Sequence, residues 1–460
     1  MNRLKITISL LAVIIPAVLF SGCTVIDDVK TALNLTGLQT PEPGSQSEGI
    51  PGNTASDSST LLVTPNETSS VSELSEVKNS APTPEPTPAL YTIQLWVPPQ
   101  FDIEQDTPAG KALAAAISDY TSQHQNVNIT LRVKATSGDS SLLNTLTSAN
   151  HIAKDVLPSL ALISRSDMEL ALQRGLLKPF TTNVFSDTST WNGFARQSAF
   201  IDSSIYGLPI FGDGWILTYK PAKTGAELTD WQDILTRGLP IGFAPSSSQS
   251  FFGTFIYLSR GGKLVNDQGQ PYLDQQKLIE TLNFFLTGGQ NGAFPPSLAQ
   301  LVDQTQVWQR FNEGTMSIII SQLSSYRHFR TNEIAAHLLP LSESVKEYPL
   351  ISTWNLVMIE DDPVMQQEVT KFAEYLCDPV VNEKISYAAG YLPVRFGIHE
   401  SWLDDPEYNM IKVMSENSSL VPNNQIVNKV IPVINAAVLQ VIRNQALPED
   451  AAKEAIASFN

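Results

Sequence analysis

The chain has 460 residues, 42% of them hydrophobic, and a formal net charge of -17. That length and apolar content support one large two-lobed body or two to three domains. No Lys/Arg-rich run follows the first few residues, which excludes nucleic acid as a partner, because duplex binding draws on clustered cations that release counterions.

The chain starts MNRLKITISLLAVIIPAVLFSGC, with Arg3 and Lys5 ahead of an apolar stretch from Ile6 to Phe20 and the small pair Ser21-Gly22. The stretch is short for a bilayer-spanning helix and has the layout of a cleavable secretory signal over 1–22. An uncleaved anchor helix is the alternative, and both readings put the rest of the chain outside the cytoplasm. The arrangement resembles a bacterial lipoprotein signal, which implies a lipid on Cys23 and a membrane-anchored protein facing the extracellular or periplasmic side. From Thr24 to Leu90 there is no aromatic residue, and the segment ends in the Pro-rich APTPEPTPA. Such a composition buries too little apolar surface to offset ordering, so 23–90 is expected to be a disordered tether.

Ordered structure is expected from Tyr91. YTIQLWV reads as a strand, and AGKALAAAISDYTSQH as a helix with Leu113, Ala116, Ile117 and Tyr120 at helical spacing. NVNITLRVKA alternates, placing Val127, Ile129, Leu131 and Val133 on one face of a half-buried strand. A helix in SSLLNTLTSAN and a strand in LPSLALIS complete a β-α-β-α-β series, the pattern of an α/β fold with a largely parallel sheet. In SRSDMELALQRGLLKPF, Ser166 and Glu169 fit a capping box and Gly175 a helix stop. Further on, Leu278, Thr281, Leu282 and Phe285 share a helical face, TMSIIIS reads as a buried strand, and Asp378, Pro379 and Gly390 punctuate another helix.

Several segments taken together resemble the extracellular solute-binding proteins of ABC importers, family 1, the carbohydrate-oriented group that includes the maltose-binding type. They are LWVPP, SLALISRSDMELALQRGLLKPF, IYGLPIFGDGWILTYK, TDWQDIL, RFNEGTMSIIIS, EVTKFAEYLCDPVVNEKISYAAGYLPVR and LPEDAAKEAIASF. The resemblance covers nearly all of 91–460. It implies a two-lobe, type II periplasmic-binding-protein-like clamp, each lobe a mixed sheet flanked by helices. Lobe 1 would take about 91–210 plus 320–360 and lobe 2 about 211–319 plus 361–460, with hinges at Pro209 to Gly212 and near Leu356 to Asp361. It also implies a monomer that binds a carbohydrate in the cleft, delivers it to the permease subunits, and works without a cofactor.

A neutral, hydroxyl-rich solute is held by flat apolar faces and by planar polar groups that fork to paired hydroxyls. Residues of those types fall where the clamp places its cleft: Trp96 and Phe101, Arg165 and Asp167, Phe211, Asp213 and Trp215, Gln322 and Tyr326, Trp354 and Asn355, and Tyr391. Packing competes for several: Trp96 ends a strand, Asp167 suits a first helical turn, and Tyr391 follows a helix stop. Trp215 and Trp354 are read on loops at the two crossings. The same clamp for a polyamine, peptide or anion is an alternative, as is a secreted glycan-acting enzyme or adhesin. Against an enzyme, His124, His151, His328, His337 and His399 show no metal-ligand spacing, and no phosphate-binding or nucleophile-elbow motif occurs. Asp361-Asp362 reads as a solvated turn, and Cys377 as a small buried hydrophobe.

Overall fold

The computed structural model describes residues 90–459 apart from 226–227, 248–249, 343–344, 346 and 398–399. The expected signal 1–22, Cys23 and all but the last residue of the expected tether lie outside the described residues, as does His399.

The first strand, β1 (Tyr91–Val97), turns Ile93, Leu95 and Val97 to one core and Trp96 to another. Both faces are covered, as a central strand requires. It pairs in parallel with β2 (Val127–Val133) and β3 (Leu160–Ser164). β2 is the sheet edge, so of its expected apolar face Val127 is buried while Val133 is exposed. The helices between these strands begin on local caps: Thr107 accepts from the Gly110 amide and Ser141 from the Asn144 amide. The helix Arg165–Gln173 is capped by Ser164, whose hydroxyl accepts from the Asp167 amide at 3.0 Å. This corrects the expected capping box by two residues, and leaves the Ser166 hydroxyl to donate to the Asn424 side chain.

A small hairpin, β4 (Phe200–Ile201) with β5 (Ser204–Ile205), leads into β6 (Gly207–Asp213). β6 still belongs to the first sheet, but after Gly214 the chain enters the second sheet as β7 (Trp215–Tyr219). A side chain at Gly214 would collide with Ile351 and Met414, so the crossing needs glycine for close approach. β8 (Ile241–Gly242), β9 (Ile318–Gln322) and β10 (Ala335–Leu338) complete the second sheet, ordered β10-β7-β9-β8. The chain then returns to the first sheet as β11 (Tyr348–Met358), antiparallel to β3 and β6. β12 (Ser418–Leu420) pairs with the start of β11 before the helix Asn424–Ile442 packs among the helices beside the second sheet.

Two expectations change here. Leu356 lies inside β11, paired with both β3 and β6, so the second crossing is not at 356–361; the chain passes back between Leu338 and Tyr348. The proposed lobe limits shift with it. β9 and β10 sit in the second sheet, and the helices Pro363–Leu376 and Pro379–Ala389 pack on β1, β6 and the helix Pro108–Gln123 of the first. The reason is amphipathic: Val369, Phe372, Ala373 and Leu376 form a buried stripe that the first sheet covers.

Tyr348 ties the passages together. Its buried hydroxyl accepts from the Leu339 amide at 3.0 Å and donates to the Trp215 carbonyl, while its own amide donates to the Asn417 carbonyl. Tyr348→Phe strips the Leu339 amide of its acceptor inside the core and should cost about 2 kcal/mol of stability, read as a lower midpoint in urea denaturation.

Candidate functional site

At the first crossing the structure gathers four of the residues singled out in the sequence. Phe101, in the turn Pro99–Phe101 after β1, stacks on Phe211 of β6 with ring centroids 4.9 Å apart and planes 5° from parallel. Tyr391 packs against both rings, its centroid 5.2 Å from Phe211 and 6.4 Å from Phe101, and the three are buried together, Phe101 and Phe211 each 1% exposed. Gly390, at φ 74°, ends the preceding helix and lies so close to Arg327 that a side chain would clash. Its left-handed turn sends Tyr391 back against the crossing, where Leu392 and Gly212 exchange backbone hydrogen bonds.

Asp213 lies at the end of β6, 3% exposed. Its carboxylate accepts from the Gly214 amide at 3.0 Å, the Ser324 amide at 3.2 Å and the Ser324 hydroxyl at 2.6 Å. Complete burial outweighs these donors and pushes the carboxyl up to about 7. Tyr391 is shifted upward too, by burial first and then by the charge of Asp213, so it remains a protonated phenol. Gln100 donates to that phenol at 3.2 Å. The result is an aromatic stack edged by a carboxyl, a phenol, a hydroxyl and an amide, drawn from both sheets.

Beside this cluster, Trp354 is half-buried and faces Phe211 across the β11-β6 ladder, while Trp215 faces Gln322 across the β7-β9 ladder. Both tryptophans are on strands rather than on the expected loops. Trp215 is 8% exposed and its ring lies 6.3 Å from that of Phe251.

The remaining candidates are engaged within the protein away from this cluster. Trp96 is buried under the helices on the other side of the first sheet, its indole donating to Gln94 at 3.0 Å. Arg165 is held by Glu169 at 3.0 Å and donates to the carbonyls of Ser198 and Phe200. Asp167 is half-buried in the first turn of its helix, and desolvation raises its carboxyl against the Ser164 hydrogen bond. Asn355 is fully buried, accepting from the Ser198 hydroxyl at 3.1 Å. Tyr326 donates to Glu407 at 2.7 Å within a buried network where Arg327 meets Asp405 at 2.6 Å and lies over the rings of Trp402 and Tyr387. Gln100 and Ser324 were not singled out in the sequence. One sits between Pro99 and Phe101 and the other after a buried strand, and neither belongs to a spacing pattern.

Residues 115–410 match the family model described as bacterial extracellular solute-binding protein, well over half of the chain. The chain belongs to that family. This solute-binding protein is therefore of an extracellular class, and its two-lobed α/β fold is that of maltose-binding proteins. It aligns with the cyclic alpha-maltosyl-1,6-maltose binding protein from Arthrobacter globiformis at TM-score 0.65 and 14% identity, covering 81% of this chain and 99% of that one. An ABC substrate-binding protein from Listeria monocytogenes in complex with cycloalternan aligns at 0.61 and 16%, covering 81% and 98%. The maltose-binding periplasmic protein of Listeria monocytogenes in complex with maltose aligns at 0.63 and 13%, covering 80% and 97%. No curated protein sequence matches the chain. At these identities the likeness to the solved structures is one of fold.

The raised carboxyl of Asp213 gives the solute-binding protein a pH signature. A group that holds its proton more tightly when folded adds stability that is full below the ordinary carboxyl range and lost as pH rises through the folded value. Between the ordinary carboxyl value of 3.8 and the folded value of about 7 the wild type should lose stability relative to Asp213→Asn, which thermal melts of both across that range would show.

Proposed function

We propose that this protein is the carbohydrate-binding component of an ABC importer, taking its solute between the two lobes and delivering it to the permease. The observation that carries the reading is the half-buried ring of Trp354 at the passage between the sheets, where Gln100, Gln322 and Ser324 are also part-exposed. A part-exposed flat ring offers contact to sugar C–H faces, and amide and hydroxyl groups suit neutral hydroxyls. Phe101 and Phe211, each 1% exposed, and Tyr391, Asp213 and Trp215, also buried, are proposed to back that surface from the core. Trp96, Arg165, Asp167, Tyr326 and Asn355 are proposed to hold the frame. The fold neighbours whose names carry maltose, cyclic maltosyl-maltose and cycloalternan support an α-glucan oligosaccharide as solute.

A ligand that touches both lobes stabilises the closed state by its differential affinity, so function rests on binding and closure rather than on catalysis. Lipid attached at Cys23 and the segment 23–90 would keep the clamp near its permease, raising the effective concentration without adding contacts. Replacing Cys23 with Ala should release the protein into the medium or leave an unprocessed precursor. Processed, membrane-bound protein in that variant would refute the anchor.

Calorimetric titration with maltose, maltotetraose and cycloalternan tests the solute class, with spermidine, oligopeptides and phosphate as the competing panel. Saturable binding of an α-glucan and no hydrolysis product is the expected outcome; binding confined to the competing panel would replace the carbohydrate reading. Trp354→Ala should weaken glucan binding by about 1 to 3 kcal/mol through lost apolar contact, while the unfolding midpoint changes little because the ring is only half-buried.

A further inference from the structure

The helix Leu323–Phe329 lies between β9 and β10 of the second sheet, and its end is fixed to that lobe. Phe329 packs on Trp308 of the helix Gln304–Asn312, which lies against β8 and β9, with ring centroids 4.8 Å apart. The same helix carries Tyr326 and Arg327, and Arg330 follows it. These three side chains reach Asp405 and Glu407, just ahead of the helix Tyr408–Glu416. Arg327 meets Asp405 at 2.6 Å, Arg330 lies 2.9 Å from Glu407 and 3.4 Å from Asp405, and the Tyr326 hydroxyl donates to Glu407 at 2.7 Å. The Arg327 guanidinium also lies over the rings of Tyr387 and Trp402, 5.0 Å and 4.8 Å from their centroids.

The partners of this helix belong to the first lobe. Tyr387 is on the helix Pro379–Ala389, which packs on β6 and on Pro108–Gln123. Trp402 meets Tyr387 edge-on with centroids 4.8 Å apart, and the Ser401 amide donates to Glu383 of that same helix at 2.6 Å. The helix Tyr408–Glu416 lies against β12 of the first sheet. Asp405 is also held from its own side, accepting from the Glu407 amide at 3.0 Å. Two cations of one lobe thus face two anions of the other, and Arg327, Asp405 and Glu407 are all buried at the contact. Salt screens such pairs little, and losing one partner leaves a buried charge alone.

We propose that Arg327 and Arg330, with Asp405 and Glu407, form an interlobe latch that biases the clamp toward its closed arrangement. The four charges come from elements tied to different sheets, so rotation of one lobe against the other parts them and admits water to all of them. Opening trades the ion pairs for hydration, and that balance sets the share of closed protein. A solute whose site is complete only in the closed arrangement binds more tightly in proportion to that share. The inference rests on the reading of the protein as a closing clamp, not on the identity of the solute.

The test uses the mature chain started at residue 24, with spin labels on Asn312→Cys and Lys384→Cys, exposed positions in the helices on either side of the network; the native Cys377 is buried. Electron–electron double resonance reads the distance between the labels without solute. A mainly short distance is expected with the network intact. Arg327→Met combined with Arg330→Gln should raise the ratio of long to short distances about tenfold, while the urea midpoint stays near that of the wild type because opening lets water reach the two acids. An unchanged distance in that variant, whatever its midpoint, overturns the latch and makes the network packing within a fixed body. Should the double variant not fold, Arg330→Gln alone, at a side chain 31% exposed, is read by the same distance with the same two outcomes. If the distance lengthens but maltotetraose does not shorten it again, the carbohydrate reading falls and the latch stands.

Discussion

The architecture depends on how the backbone passes between two sheets without leaving polar groups stranded in the interior. Each passage breaks a ladder, and a buried amide or carbonyl without a partner costs as much as a lost hydrogen bond. Tyr348 meets that constraint with one phenol, serving the Leu339 amide as the chain leaves β10 and the Trp215 carbonyl as it enters β7. Leu350, two residues on, takes φ 67° within a register shift of the β11-β12 pairing. A buried leucine in the left-handed region is strained, and the packing of both sheets around it keeps it there.

The same junction explains why the chemistry gathers where it does. β6 delivers Phe211 and Asp213 to the edge of the first sheet, and the turn at Gly214 keeps that edge continuous with the second. Any group placed there is near both lobes. The cost is desolvation, and the junction contains two responses to it. Asp213 meets only neutral donors and shifts toward its protonated form, whereas Asp405 is paired with Arg327. Burial also raises Asp405, but hydrogen bonds from Glu407 and Arg327 and the Arg327 charge outweigh that effect and hold it at about 2. A carboxyl of the first kind holds its proton to near neutrality; one of the second kind stays ionised and committed to the scaffold.

Much of this was legible in the sequence where the signal is local. Asp378, Pro379 and Gly390 bound a helix as read, because a cap, a preset φ and a left-handed stop act within a few residues. The stripe Leu278, Thr281, Leu282 and Phe285 is buried as a unit, since helical spacing alone brings those side chains to one face. Even the cap misplaced at Ser166 lay within the right turn, two residues from the true cap Ser164.

Lobe membership and the use of each aromatic were settled by distant partners. Periodicity finds the stripe on Pro363–Leu376 but cannot say which sheet covers it; the apolar surface of the first sheet does. Trp96 and Trp354 sit in strands of similar pattern, yet one is sealed beneath helices from 142–173 and the other is half open beside Phe211. Phe101, Phe211 and Tyr391 stack although 290 positions separate the first from the last, so no short window shows them together. The sequence by itself determined the helices, the strands and the family, because those rest on contacts a few residues apart. Only the tertiary structure decided which rings are sealed in the core and which stay part-open, because burial of a side chain depends on what the rest of the chain brings against it.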